Sequence, residues 1–434
     1  GGGTWVYLGT FDFDKGCNEF NRVVCTNKAS HRGVVTTDAV RFGGGMGNIE
    51  RGGYTSGLPR CLEGARYYAQ WAGAPYKVYG GRKGENDYAD DINTRSLMTN
   101  WLGGGSVYMP ARKGKHVPIE LSLALHSDAG YNKDGKTTFG ALAICTTDYN
   151  DGILNSGISR FTSKDFARAL RDNLVTDLTA QFGEFGKRYL WDRNYSETRL
   201  PEVPSAILEM LSHQNFPDMR IAQDPLGKFY IARSIYKTIL RFVNSNHGTR
   251  YVVQPLAPQN FSVTQNQGVA LLSWTAQLDK TEPSARPTSY IIYKAEGQGG
   301  FDNGTIVNTT RCQMQLKPGK LYHFKVAAVN AGGESFTTET LSVLYNPAAS
   351  KSVLIVNNFH RLASPQVVDD EEKQGFDLNQ DPGVSYGLTA GWSGKQQVFD
   401  IHKMGIETTW GLGYCGNEMI GQFVAGNDFN YTEE

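Results

Sequence analysis

An apolar run leads directly into a histidine where residues 119–130 read IELSLALHSDAG. Four large apolar side chains alternate there with small or polar residues, which is the period-two pattern of a buried strand. The strand therefore delivers His126, followed by Ser127 and Asp128, to its carboxyl end. Open α/β sheets build their sites at that end, so the pattern predicts a functional histidine there.

Two further segments place a carboxylate at the end of a strand and at the start of a helix. Residues 204–215 read PSAILEMLSHQN, so a second apolar run delivers Glu209 to a strand end. Residues 58–66 read LPRCLEGAR and start a helix of small residues, with Glu63 in its first turn. We expect His126 and Glu209 to share one cleft, whereas Glu63 could simply favour the helix dipole.

The chain has 434 residues, which predicts several domains. From 46 to 250, strands alternate with amphipathic helices, as in an α/β domain with a largely parallel sheet. One helix is predicted from Thr162 to Leu178 after a capping-box-like start, and another from Asp224-Pro225 to Phe242. The expected fold class is thus a multidomain chain whose α/β domain follows a partial β module and precedes a β-sandwich.

After a stiff Pro255–Pro258 linker, short strands recur at intervals of about ten residues over 256–345, which describes a sandwich. This stretch resembles a fibronectin type III domain. The resemblance is carried by Pro258-x-x-Phe261, Trp274, SYIIY at 289–293 and KLYHFKVAAVNAGGES at 320–335. It implies that Tyr322 takes the tyrosine-corner position and that Trp274 fills the core.

The two ends of the chain carry different patterns. Residues 1–45 predict strands at Thr4–Phe13, Asn21–Thr26 and Gly33–Phe42, which make an incomplete sheet. Residues 351–434 open with a predicted buried strand, Ser352–Val356, and are expected to start a further domain of unknown function. We also expect the native protein to begin upstream of Gly1.

Charge and composition exclude several partners. Lys+Arg and Asp+Glu balance at 43 each, which lacks the positive excess of a nucleic-acid-binding protein. No apolar run reaches the ~18 residues of a membrane helix. The 50 glycines and 12% aromatic residues suit a loop-rich, extracytoplasmic protein in the periplasm, at the cell surface or secreted.

Residues 58–247 resemble the zinc-dependent N-acetylmuramoyl-L-alanine amidases, which cut peptidoglycan between the glycan and the stem peptide. The resemblance implies that Glu63 and His126 are zinc ligands and that Glu209, in PSAILE, is the catalytic acid and base. It also implies a Zn²⁺ cofactor and peptidoglycan as the partner. Asp128, Arg193 and Arg199 are candidate substrate-binding residues, with Asp192 and Glu197 in the same charged rim; a solvated charged loop explains the rim equally well.

In the amidase family, a histidine ahead of the glutamate is a further zinc ligand. This sequence has no counterpart of that histidine before Glu63. The β segment, with WVYLGTFDFDKG at 5–16 and TDAVRFGGG at 37–45, resembles a golvesin or xanthan lyase-like carbohydrate-binding module. In relatives such a module lies inside the amidase, which implies that the missing histidine lies upstream of Gly1. His31, His116 and His213 are alternative ligands, and a surface or loop histidine is the plain interpretation of each.

A second function stays open. The chain could be a wall-binding or polysaccharide-adhesion protein whose amidase-like domain has lost its metal. Metal content distinguishes the two, because a hydrolytic site of this kind depends on zinc.

Overall fold

The computed structural model describes residues 11–14, 20–31, 33–35, 40, 64–83, 85–356, 364–377, 380 and 399–400. The chain divides into two compact units. Of the described residues, 64–242 and 364–377 belong to the first unit, and 20–40 and 243–356 to the second. No helix in these ranges is both long enough and apolar enough to cross a membrane.

The first unit is a mixed α/β domain. Its elements are α1 (Ala65–Trp71), α2 (Tyr76–Tyr79), α3 (Asp87–Gly103), β1 (Ser122–Asp128), β2 (Ala141–Cys145), α4 (Phe161–Phe182), β3 (Lys187–Asp192), α5 (Ser196–Arg199), β4 (Ser205–Ser212), α6 (Phe216–Gln223) and α7 (Pro225–Asn246).

The four strands form one sheet in the order β1-β4-β2-β3. The β1–β4 and β2–β3 ladders are parallel, whereas β4 and β2 pair antiparallel. The sheet is therefore mixed, and the sequence predicted a largely parallel one. Alternation of apolar residues identifies a strand and its buried face but carries no information on strand direction.

The two faces of this sheet differ in what covers them. One face packs against α4 and α7, with Phe166, Leu170 and Leu174 of α4 fully buried against Ala143 and Leu208. The other face carries a smaller apolar cluster of Leu142, Ile144 and Ile207. The side chains that the sequence singled out, His126 and Glu209, belong to this second face, because side chains two apart along a strand point the same way.

Both long helices lie where periodicity predicts them, and their starts show how each is fixed. Asp224 precedes α7 and accepts a hydrogen bond from the backbone N–H of Leu226 at 2.8 Å, as a capping residue does. Helix α4 begins at Phe161, ahead of the predicted cap. The Ser163 hydroxyl instead accepts from the backbone N–H of Ser205, which ties the helix to the start of β4.

The further domain predicted to start at 351 lies mostly outside the described residues and stays a prediction. Ser352–Val356 is not in a strand, and Val353 and Leu354 are 87% and 83% exposed. The short strands β13 (Val367–Asp369), β14 (Lys373–Phe376) and β15 (Phe399–Asp400) form a small antiparallel sheet. Phe376 is buried in the α/β core beside Phe216, with ring centroids 5.7 Å apart. Residues 364–377 thus contribute to the α/β core.

More than half of the predicted β module at 1–45 lies outside the described residues. The strand predicted at Asn21–Thr26 is not paired, and none of the described residues between 11 and 40 lies in a strand. The golvesin-like interpretation stays a prediction.

The second unit contains a two-sheet sandwich. Its strands are β5 (Gln259–Asn266), β6 (Val269–Thr275), β7 (Ser289–Glu296), β8 (Thr305–Val307), β9 (Arg311–Gln315), β10 (Leu321–Asn330), β11 (Gly333–Thr337) and β12 (Leu341–Leu344). One sheet has the order β5-β6-β9 and the other β11-β10-β7-β8, with β12 also paired to β10. Trp274 is 3% and Tyr322 2% exposed, and the Tyr322 hydroxyl accepts from the backbone N–H of Lys317 at 3.2 Å. The tyrosine corner and the tryptophan core are both present as predicted.

We expect residues 256–345 to fold when expressed alone. Their buried side chains, among them Trp274, Ile292, Phe324 and Val326, form one core inside the two sheets. Denaturant unfolding followed by circular dichroism and by tryptophan fluorescence should give one coincident, cooperative transition. A product without a cooperative transition would contradict this prediction.

Candidate functional site

His126 and Glu209 are direct register partners on the adjacent parallel strands β1 and β4. Neighbouring strands lie about 4.8 Å apart, so the two side chains leave the same sheet face side by side. The sequence predicted the two residues together at strand ends. They lie instead two and three residues before the ends of β1 and β4, so the site sits on the face of the sheet as well as near its edge.

Glu197 of the short helix α5 completes a charged cluster with His126. Its Oε2 lies 2.9 Å from His126 Nε2, and its Oε1 accepts from Arg95 Nη1 at 3.0 Å. The hydrogen bond to Glu197 raises the pKa of His126 although burial opposes it. Burial would raise the pKa of Glu197, but the bonds and charges of His126 and Arg95 outweigh it and lower that pKa.

Glu209 has the environment of a general base. Its Oε2 is buried and has no hydrogen-bond partner among the described residues. Burial is the main reason that its pKa is raised to about 7, and the positive charge of His126 opposes the rise. A carboxylate with a pKa near neutrality can both take and return a proton at physiological pH.

Both carboxylate oxygens of Asp128 already have partners within the protein. Its Oδ2 forms a 2.7 Å ion pair with Arg188 Nη2, and its Oδ1 accepts from the backbone N–H of Ala129 at 2.8 Å. The Arg188 guanidinium also lies 4.1 Å from the ring centroid of Phe139. The pair sits close enough to Glu209 to influence its pKa, so Asp128 contributes to the electrostatics of the site.

The two arginines predicted to bind substrate lie beside aromatic rings. The Arg193 guanidinium is 4.6 Å from the ring centroid of Trp191, and Arg199, 5.9 Å from the ring centroid of Tyr149, donates to Asn194 Oδ1 at 2.6 Å. Among the described contacts, neither arginine touches His126 or Glu209. Their role in substrate binding stays a prediction.

The remaining candidate ligands are distributed as follows. Glu63 lies outside the described residues; the helix it was expected to start begins at Ala65, with Gly64 as its N-cap. His31 is exposed, and His116 Nδ1 contacts the carbonyl oxygen of Gly105 at 3.0 Å. His213 is buried next to the site, where its Nδ1 lies 3.2 Å from Ser127 Oγ.

The donor set fits a zinc site in part. His126 offers an imidazole donor, and the neighbouring Glu209, whose buried Oε2 lacks a partner among the described residues, offers a base and not a metal ligand. Within the described ranges, no three His, Cys, Asp or Glu side chains are grouped closely enough to hold a metal ion. A complete site would therefore need a donor from outside these ranges, and Glu63 is the candidate that the sequence supplies.

Sequence reasoning placed Glu197 only in a charged rim, without a link to His126. Helix α5 has four residues, which is too short for a periodic pattern, and the contact spans 71 positions of the chain. The NYSETR segment offers no signal of its own beyond a carboxylate near an arginine.

The family comparison concerns the sandwich. The fibronectin type III domain model matches residues 256–343. Among solved structures, the twitchin kinase region from C. elegans is 26% identical over 23% of this chain and 18% of that chain, with a TM-score of 0.20. Titin kinase with its flanking domains is 23% identical over 20% of this chain and 16% of that chain, with a TM-score of 0.19.

No curated protein matches the chain. The residues that match the family model form the two-sheet sandwich. They also contain the tyrosine corner and the core tryptophan of that domain type. Residues 256–343 are therefore a fibronectin type III domain.

Proposed function

We propose that the α/β domain is a zinc-dependent amidase that cleaves the bond between N-acetylmuramic acid and the L-alanine of the peptidoglycan stem peptide. The observation that carries the proposal is the pairing of His126 with Glu209 across β1 and β4. An imidazole that can bind a metal thus lies beside a carboxylate with the pKa of a general base.

His126 and Glu63 would hold the metal, together with a third donor that the described residues do not supply. Bound zinc would supply a polarised carbonyl and a water whose pKa is lowered toward ~7. Peptidoglycan as substrate implies an extracytoplasmic location, and the N-terminal segment is a candidate second contact with polysaccharide.

Glu209 performs the proton transfers in this mechanism. It takes a proton from the attacking water and then delivers it to the amine nitrogen of L-alanine as the C–N bond breaks. The products are a glycan with a free lactyl carboxylate and a stem peptide with a free amino group. The two transfers leave Glu209 in its starting state, so one carboxylate serves both steps.

We expect His126→Ala to abolish both zinc binding and amide cleavage, because the imidazole is the metal donor on β1. Zinc content of the full-length protein and release of peptide from purified muropeptides measure the two effects. His116→Ala is the control, because the described hydrogen bond of the His116 ring is to the carbonyl oxygen of Gly105 and involves no residue of the proposed site.

Two results would redirect the proposal. A His126→Ala protein that kept zinc and turnover would remove His126 from the mechanism. A wild-type protein that bound sacculi, held no zinc and released no peptide would establish the alternative of a non-catalytic wall-binding protein.

A further inference from the structure

A chain of hydrogen bonds connects His126 to the start of α1. His126 Nε2 lies 2.9 Å from Glu197 Oε2, and Arg95 Nη1 donates to Glu197 Oε1 at 3.0 Å. Arg95 Nη2 in turn lies 3.4 Å from Asp91 Oδ2, and Asp91 Oδ1 accepts from the backbone N–H of Arg66 at 3.0 Å. The chain thus runs through β1, α5, α3 and α1.

These contacts hold the Glu197 carboxylate in one orientation. Its two oxygens contact different groups, so tilting the carboxylate out of its present plane would weaken both contacts. Its side chain is only 12% exposed, which limits competition from water. A carboxylate bonded at both oxygens has a fixed position, so it can fix the orientation of an imidazole that it contacts.

The backbone of α5 is docked on α3 independently of these charges. The Ser96 hydroxyl donates to the carbonyl oxygen of Ser196 at 3.2 Å, and Asn100 Nδ2 donates to the carbonyl oxygen of Leu200 at 2.8 Å. Both ends of α5 are therefore fixed to one face of α3, from which Arg95 also projects. Loss of the Glu197 side chain should leave this docking intact.

We infer that Glu197, clamped by Arg95, is a positioning residue that orients the His126 imidazole for zinc binding; the inference rests on the proposed function. A metal-binding histidine commonly donates its second ring N–H to a carboxylate, which fixes the tautomer and the ring orientation. Here Nε2 is committed to Glu197, so Nδ1 is the nitrogen left for the metal. Glu197 acts through His126 and does not contact the reacting atoms.

The chain contains a matched control for this role. Glu202 Oε1 pairs with Arg112 Nη2 at 3.1 Å, and its side chain is 13% exposed beside an arginine that is 41% exposed. Glu197 and Arg95 have nearly the same separation, with exposed fractions of 12% and 41%. The two ion pairs differ in that only Glu197 contacts a histidine of the site.

The test measures the Kd for Zn²⁺ in the full-length protein by chelator competition. Glu197→Ala should weaken zinc binding by about 10- to 100-fold, the usual effect of removing such a carboxylate. Glu197→Gln retains an acceptor for the ring N–H and should recover most of the affinity, while Arg95→Ala should give an intermediate loss. Glu202→Ala should leave the Kd unchanged.

A second measurement needs no metal. In zinc-free protein with ¹⁵N-labelled histidine, the bonded ring N–H of His126 should exchange slowly with water, and Glu197→Ala should abolish that signal. Zinc affinity and ring signal that are both unchanged in Glu197→Ala would overturn the inference. A wild-type protein without zinc binding would contradict the proposed function, while the ring N–H would still decide the role of Glu197.

Discussion

Glu209→Gln should lower the rate of amide cleavage by on the order of 10²–10⁴, the usual contribution of general acid–base catalysis. The substitution keeps the size and polarity of the side chain but removes the group that titrates. Because burial raises the pKa of Glu209 to about 7, the wild-type carboxylate can exchange protons with water and with the leaving amine. The glutamine amide can do neither.

The measurement compares turnover of purified muropeptides with zinc content in the same preparations. Zinc should remain bound in Glu209→Gln, because His126 and its Glu197 contact are untouched. Glu202→Gln makes the same chemical change at a carboxylate paired with Arg112, and it should retain wild-type turnover. If Glu209→Gln held zinc and turned over like the wild type, Glu209 would not be the base.

The relation between His126 and Glu209 was predictable because it follows from local patterns. Each residue ends an apolar run, and two buried strands of one sheet bring such residues to a common region. The fibronectin type III domain was predictable for a similar reason, since Trp274 and Tyr322 have fixed places within short, regularly spaced strands.

The parts that sequence reasoning missed depend on contacts between distant segments. Glu197 meets His126 across 71 positions, and Phe376 enters the core beside Phe216 from far along the chain. The antiparallel β4–β2 ladder is likewise set by the path of the connecting loops. None of these three contacts produces a periodic pattern in the sequence.

Asp218 is the buried carboxylate that fixes the loops next to the site. It lies in α6 and is fully buried. Its Oδ1 accepts from the backbone N–H of Phe139 at 2.8 Å and from Asn215 Nδ2 at 3.3 Å. Its Oδ2 accepts from the backbone N–H groups of Gly140 at 3.1 Å and Ser212 at 2.8 Å. One side chain therefore joins the end of β4 to the loop before β2.

Asp218→Asn should lower the free energy of unfolding of the α/β domain by about 3 kcal/mol, because buried donors lose their acceptor. Burial raises the pKa of Asp218 to about 6, so the group is ionised at pH 7 and accepts at both oxygens. In either orientation, the asparagine NH₂ would face two of the four N–H donors that now meet an oxygen. Asp165→Asn is the control, since that side chain is 70% exposed. Denaturant unfolding at pH 7 compares the two, and equal stability of Asp218→Asn and wild type would show that the four donors are satisfied in another way.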